Sequence, residues 1–203
     1  MSRFSRPVRI ARSQLLEHGF SGFVFVVLKS LLKVERILIF GRELDHDIVE
    51  SRNNEVSGSI KKGEAAELEN IRTHTSCWEF SCDLYDGVKD FFIYKNAEPI
   101  VHISWIYYKG DPNRLIDLRV DEGEIKYSLT LPPFRGKGIY AAVLTRIQGY
   151  LKENGYKRVF ICVREDNLSS IKGIEKAGFT FITKIKLIKI MGVQVSSRYA
   201  TNH

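Results

Sequence analysis

Leu129-Thr130-Leu131-Pro132-Pro133-Phe134-Arg135-Gly136-Lys137-Gly138-Ile139-Tyr140 is the stretch on which the fold turns. The run before it, Glu124 to Leu131, alternates like a strand. The run after it, Ile139 to Lys152, places Ile139, Val143, Ile147 and Leu151 on one helical face. A strand, a basic glycine-bearing turn and a helix N-terminus together make an anion site. The first backbone N–H groups of a helix lack intrahelical partners, and the dipole favours negative charge there. Gly136 and Gly138 let an anion approach the backbone closely, while Arg135 and Lys137 add charge. The expected ligand is a phosphate or pyrophosphate. The turn lacks the Gly-Lys-Ser/Thr ending of a P-loop and the three-glycine dinucleotide fingerprint.

Outward from this centre the chain reads as alternating strands and helices. Val34 to Leu44 is expected as a strand, residues 51–63 as a polar loop, and Glu64 to Trp78 as a helix with Ala65, Leu68, Ile71 and Trp78 at helical spacing. Phe91 to Tyr94 and Ile100 to Tyr108 suggest a hairpin. Leu115 to Val120 and Glu124 to Leu131 suggest a second one across the turn Asp121-Glu122-Gly123. Asn154-Gly155 ends the central helix, and the continuous apolar run Val159 to Val163 marks a central strand. Asn167 can cap a following helix, Gly178 can stop it, and Phe179 to Ile190 alternates as a long strand. No repeat or low-complexity tract interrupts the chain. Two regions are expected: an N-terminal basic and apolar helical segment, 1–33, and one domain, 34–203.

The 203 residues are 44% hydrophobic and 27% charged, ordinary for a globular protein, with a formal charge of +7. That excess suits an anionic partner such as coenzyme A, a nucleotide-linked substrate or an anionic membrane, and equally a plain solvated surface. No stripe of basic and aromatic residues points to nucleic acid. Cys77, Cys82 and Cys162 have no framework or metal-ligand spacing, so neither disulfides nor a metal site is expected. Arg3, Arg6, Arg9 and Arg12 precede an apolar run at residues 20–32 that is too short to span a bilayer. It is expected to dock as a helix on the domain. The competing reading is an in-plane anchor at the inner membrane face. A cytoplasmic protein is expected in either case.

Arg135-x-x-Gly138-x-Tyr140 resembles the acetyl-CoA loop of the GNAT N-acetyltransferase superfamily, which reads Arg/Gln-x-x-Gly-x-Gly/Ala; Tyr140 departs at the last slot. The order after the loop is similar too: a helix, a strand, Asn167-x-x-Ser170, then Lys176-Ala177-Gly178-Phe179. The likeness runs from about Asp90 to Gly192, is thin over Val34 to Lys89, and is absent before that. It implies an α/β (α+β) fold whose mixed, mostly antiparallel sheet splays between the Glu124–Leu131 and Val159–Arg164 strands and is flanked by helices. It further implies acetyl-CoA as co-substrate and transfer of acetyl to a small amine, for instance an amino sugar or another surface-polysaccharide or lipid precursor. Longer acyl-thioesters, or an idle CoA-binding regulatory module, are the alternatives. A homodimer is a further expectation.

Carried over by residue, Leu129 and Leu131 offer backbone groups around Thr130 to the pantetheine arm. The N–H groups of Arg135, Gly136, Lys137, Gly138, Ile139 and Tyr140 take the pyrophosphate, and Asn167 and Ser170 line the arm. Glu124 stands where some members carry a base, although a turn-flanking surface carboxylate would read the same. His102, with Ser104 on its face of the strand, is the other candidate base, and it reads equally as a packed core histidine. The tyrosine that usually protonates the thiolate is replaced by Ile174, so Tyr140, Tyr127 or water must serve. Trp78, Trp105, Tyr107 and Tyr108 are candidates for an acceptor pocket.

Overall fold

The computed structural model describes residues 32–44, 58–75, 77–96, 99–190, 193–194 and 199–200. The apolar run at 20–32 falls almost wholly outside them, and with it the choice between docking and anchoring. Strand β1 spans Leu32–Glu43 and β2 Ser59–Lys62. Helix α1 (Ala65–Arg72), a 3-10 turn (Trp78–Ser81) and helix α2 (Cys82–Asp86) lead to β3 (Phe91–Lys95) and β4 (Ile100–Tyr107). Then come β5 (Ile116–Asp117), β6 (Glu122–Thr130), a 3-10 turn at Pro132–Phe134 and helix α3 (Ile139–Glu153). Strand β7 (Arg158–Arg164), helix α4 (Leu168–Lys176), β8 (Thr180–Ile190), β9 (Val193–Gln194) and β10 (Tyr199–Ala200) complete the order.

Two units separate: Ile37–Ile185 with Arg198–His203, and Met1–Arg36 with Lys186–Ser197. In the smaller, the end of β8 and β9 form a hairpin, Lys189 opposite Gln194 and Ile190 opposite Val193. In the larger, the sheet runs β2-β3-β4-β6-β7-β1-β8. β1 therefore lies inside the sheet, antiparallel to β7 from Ile37↔Arg164 to Glu43↔Arg158. The Thr180 hydroxyl donates to the Gly41 carbonyl at 3.2 Å on its other side.

Three apolar clusters fix the layers. On one face Val143, Leu144, Ile147 and Leu151 of α3 and Ile174 of α4 pack on Ile106, Ile125, Ile161 and Phe40. On the opposite face Leu68 of α1, Phe80 and Cys82 cover Phe91, Ile93, Ile103, Trp105 and Tyr107. Ile39, Ile116, Leu118 and Phe160 form a smaller third cluster.

The feature that positions the site is where the sheet parts. β6 pairs with β7 in parallel only as far as Ile125↔Ile161. Beyond that, β6 keeps β4 as its partner through a register shift between Ile103 and Trp105, with Tyr127 at φ 48°. That left-handed residue is the extra one of a β-bulge, which bends the strand and re-aims its side chains. The edge of β6 from Lys126 to Thr130 therefore faces a gap.

The fold departs from the sequence expectations in four places. The second hairpin does not form: β5 pairs with β10 in parallel, and β6 pairs with β4 and β7. The Leu115 and Ile116 N–H groups donate to the Glu124 carboxylate at 3.3 and 3.4 Å instead of to a neighbouring strand. Helix α1 stops at Arg72 rather than Trp78, because the Thr73 hydroxyl donates to the Asn70 carbonyl at 2.7 Å and competes with the helical backbone. Residues 59–62, read as loop, form an edge strand whose lysines suit an exposed position. α2 has no helical period long enough to read.

Candidate active site

Helix α3 begins on Gly138, whose φ is 74°, after Gly136 at φ 77°. Glycine enters this left-handed region without a Cβ penalty, so the chain can turn tightly from β6 into the helix. No side chain caps α3, and the first intrahelical bond is Ala142 N–H to Gly138 O at 3.1 Å. The amides of Ile139, Tyr140 and Ala141 thus have no acceptor within the helix. They open on a cavity of about 640 Å³. Ser128, Leu129 and Thr130 wall it on the β6 side, and Phe134, Arg135, Gly136 and Gly138 on the loop side. Asn167, Ser169, Ser170, Lys172, Gly173 and Lys176 wall it on the α4 side. Among the described residues three cations and no carboxylate line it.

Most of the expected binding residues meet here, and four do not serve as expected. Leu131 is off the wall and its N–H donates to the Val101 carbonyl of β4 at 2.9 Å, and Leu129, opposite Ile103, likewise turns its backbone to β4. By strand alternation it is Thr130 whose backbone turns to the gap, and its carbonyl accepts the Arg135 Nε at 2.9 Å. The Arg135 N–H donates to Pro132 O at 3.2 Å. Lys137 stands outside the cavity, with Nζ 5.2 Å from the Phe134 ring centre. Asn167 is both cap and wall: its Oδ1 accepts from the Ser170 N–H at 3.3 Å and the Ser169 hydroxyl at 3.1 Å.

The cavity floor is a chain of hydroxyls around a buried imidazole. His102 is fully buried, with Nδ1 2.7 Å from Thr130 Oγ1 and Nε2 2.8 Å from Ser104 Oγ; Ser104 donates to Ser128 at 2.7 Å. Ser128 in turn bonds the Tyr140 hydroxyl. Burial pushes the imidazole down to about 3, so His102 is neutral at ordinary pH. With Ser104 donating to Ser128, His102 donates through Nε2 and accepts from Thr130 at Nδ1. Burial pushes the Tyr140 phenol up. The Tyr140 ring lies 5.9 Å from the His102 ring and against Gly173, where a Cβ would stand 2.7 Å from its Cδ1.

Glu124 is not with this group. It is fully buried on the other face of β6, which rules out the surface-carboxylate reading. Its Oε2 takes the Leu115 and Ile116 amides, and among the described residues its Oε1 has no hydrogen-bond partner. Burial pushes the carboxyl up, against the pull of Lys126, the two amides and the Cys162 thiol beside it. Cys162 is itself pushed up by burial and by the Glu124 charge. Lys126 Nζ lies 5.0 and 4.9 Å from the Tyr107 and Tyr127 rings and donates to the Asn113 carbonyl. Trp78, 49% exposed, sets its edge on Tyr127 at 4.7 Å. Of the other candidate pocket aromatics, Trp105 and Tyr107 are core residues and Tyr108 hydrogen-bonds Asp90 at 2.8 Å.

A search of curated protein sequences returned no match. The family model for the Acetyltransferase (GNAT) family matches residues 56–179, more than half of the chain. The chain belongs to the GNAT acetyltransferase family. Members generally use acetyl-CoA as co-substrate. Solved structures of the same fold include a GNAT-family acetyltransferase from Colwellia psychrerythraea, at TM-score 0.55 and 14% identity over 78% of this chain and 57% of that one. A GCN5-related N-acetyltransferase-like protein from Streptococcus suis reaches TM-score 0.57 at 12% identity, over 86% of this chain and 68% of that one. The glucosamine N-acetyltransferase region of a fungal multi-domain GH3 β-N-acetylglucosaminidase reaches 0.58 at 10% identity, over 84% of this chain and 22% of that one. Several of these GNAT structures are longer, and the chain spans less than two thirds of their length.

The GNAT motif carried the loop, the parted sheet, Asn167 and Ser170, but not the rest of the α4 wall. Ser169, Lys172, Gly173 and Lys176 come after the cap at helical spacing. That period would have placed them beside the loop once Asn167 was known to face it.

Proposed function

We propose that the protein is an acetyl-CoA-dependent N-acetyltransferase that acetylates a small amine in the cytoplasm. The observation that carries the reading is the open edge of β6 at Lys126–Thr130. A cation-lined cleft with free helix amides lies on one side of it and, on the other, a buried carboxylate with one oxygen unpartnered among the described residues. The cleft residues suit a thioester of coenzyme A: the Ile139, Tyr140 and Ala141 amides with Arg135 for the pyrophosphate, and the Ser128 and Thr130 edge with Asn167 and Ser170 for the amide-bearing arm. Glu124 takes the proton of the amine, directly or through a water. The amine nitrogen then bonds the thioester carbon, and the C–S bond breaks as the tetrahedral species collapses. Ile174, in the usual acid slot, is fully buried in the core. Tyr140 replaces it: Ser128 donates to its oxygen, which leaves the phenol proton to go to the departing thiolate.

The amine is an amino sugar or a related polysaccharide precursor. Trp78, half exposed and edge-to-face with Tyr127, offers an apolar stacking surface on this side of β6, and a fold neighbour is named for glucosamine. No helix among the described residues is long and apolar enough to cross a membrane. The test is thiol release from acetyl-CoA against a panel of amino sugars, aliphatic diamines and amino acids, repeated with longer acyl-CoA esters. Acetyl-dependent turnover with an amino sugar is expected. Tight CoA binding without turnover of any amine would reduce the protein to a binding module.

A further inference from the structure

Two lysines of α4 have no part in the proposed acetyl transfer, and the role inferred for them rests on coenzyme A occupying the cleft. Lys172 and Lys176 stand one helical turn apart, both exposed and both on the cleft wall. Lys176 Nζ comes within 3.8 Å of where a Cβ on Gly138 would stand, so it hangs over the N-terminus of α3. Arg135 holds the loop wall through its bond to Thr130 O. Among the described residues no ion pair joins Arg135, Lys172 or Lys176 to a carboxylate. Three like charges facing one cleft repel one another, and a ligand with several negative charges relieves that repulsion.

The charge on coenzyme A is confined to its nucleotide end, in the pyrophosphate and the ribose phosphate, while its thiol-bearing arm is neutral. We infer that Lys172 and Lys176 select the donor by its nucleotide phosphates. The protein then takes acyl groups from coenzyme A and rejects the same acyl group on a bare phosphopantetheine arm, the form a carrier protein presents. The two lysines are specificity residues and touch no reacting atom.

The experiment measures binding of CoA by calorimetry, and of 3′-dephospho-CoA and 4′-phosphopantetheine by competition. It compares wild type with Lys172→Ala, Lys176→Ala, the double variant and, as a charge control away from the cleft, Lys109→Ala. The double variant is expected to lose about tenfold or more of its CoA affinity while phosphopantetheine affinity shifts by less than about threefold, because phosphopantetheine keeps only the one phosphate that the loop amides hold, whereas CoA carries two more for the lysines to contact. Its salt dependence for CoA should flatten, and Lys109→Ala should bind as wild type does. Equal losses for both ligands, or none for CoA with melting temperature retained, overturn the inference and leave the cleft assignment standing. Failure of wild type to bind CoA at all overturns both.

Discussion

Glu124 carries two opposed demands on one side chain. Its Oε2 holds the Leu115 and Ile116 amides, a structural duty that a neutral amide oxygen could perform as well. Its Oε1 is buried with no hydrogen-bond partner among the described residues, and its carboxyl is pushed up by burial, a cost with no structural return. In the proposed reaction that group is the base, its carboxyl raised from the ordinary value by burial. Glu124→Gln keeps the amide contacts and removes the base. Steady-state assays should show kcat down by roughly 10²-fold or more, with acetyl-CoA affinity unchanged in calorimetry. Melting temperature should hold or rise, since a buried charge is removed. In the wild type the rate should climb with pH through the raised carboxyl value, and that limb should vanish in the variant. A rate within a few-fold of wild type returns the proton to solvent. The sequence placed Glu124 at a strand start next to a turn, which looks like surface. Nothing in the local pattern says that the chain ahead of it folds back to donate two amides.

Between elements, the cleft depends on how α3 meets α4. The contact is Tyr140 against Gly173, with no room for a methyl group: a Cβ would stand 2.7 Å from Cδ1 and 3.4 Å from Cε1 of the ring. Gly173→Ala gains about 1 kcal/mol of helix propensity. Overpacking a filled site costs about 1–3 kcal/mol, so the clash wins. The ring cannot swing freely, because His102 lies on its other side and Ser128 holds its hydroxyl. The variant should melt lower and bind acetyl-CoA more weakly, both readable on one purified sample. An unchanged melting temperature would mean that α4 slides to accommodate the methyl. Strands and helices with strong apolar periods, β1, β4, β7, β8, α3 and α4, were legible in the sequence. β2 was not, because an edge strand of Ser59, Ile60, Lys61 and Lys62 is coloured by solvent rather than by core. The pairing of β5 was not either, because a side-chain acceptor claimed its amides.

Over the whole molecule, acid sensitivity should centre on His102. Its folded value of about 3 lies below the ordinary 6.5, so between those values the unfolded chain holds the extra proton. Stability therefore falls as pH drops from 6.5 towards 3. The raised carboxyl of Glu124 works in the opposite direction, since its folded form keeps a proton the unfolded chain gives up. His102→Gln retains hydrogen-bonding capacity but does not titrate there. Its melting temperature should fall less than that of wild type between about pH 7 and about pH 5, by differential scanning calorimetry. Parallel curves would assign the sensitivity elsewhere. A histidine alternating with Ser104 on a strand could be read as packed or as reactive. Full burial beside Tyr140 keeps it neutral, and burial is set by packing that spans many elements.

The place of β1 bears on how the chain is made. Ile37 to Glu43 are among the first described residues, yet their neighbours are β7 and β8, which leave the ribosome long afterwards. Until then an apolar strand with both edges bare must wait, and bare edges recruit foreign strands. Such distant pairing is slow to close. Yield in a cell should therefore follow chaperone supply and growth temperature more closely than it follows the stability of the finished protein.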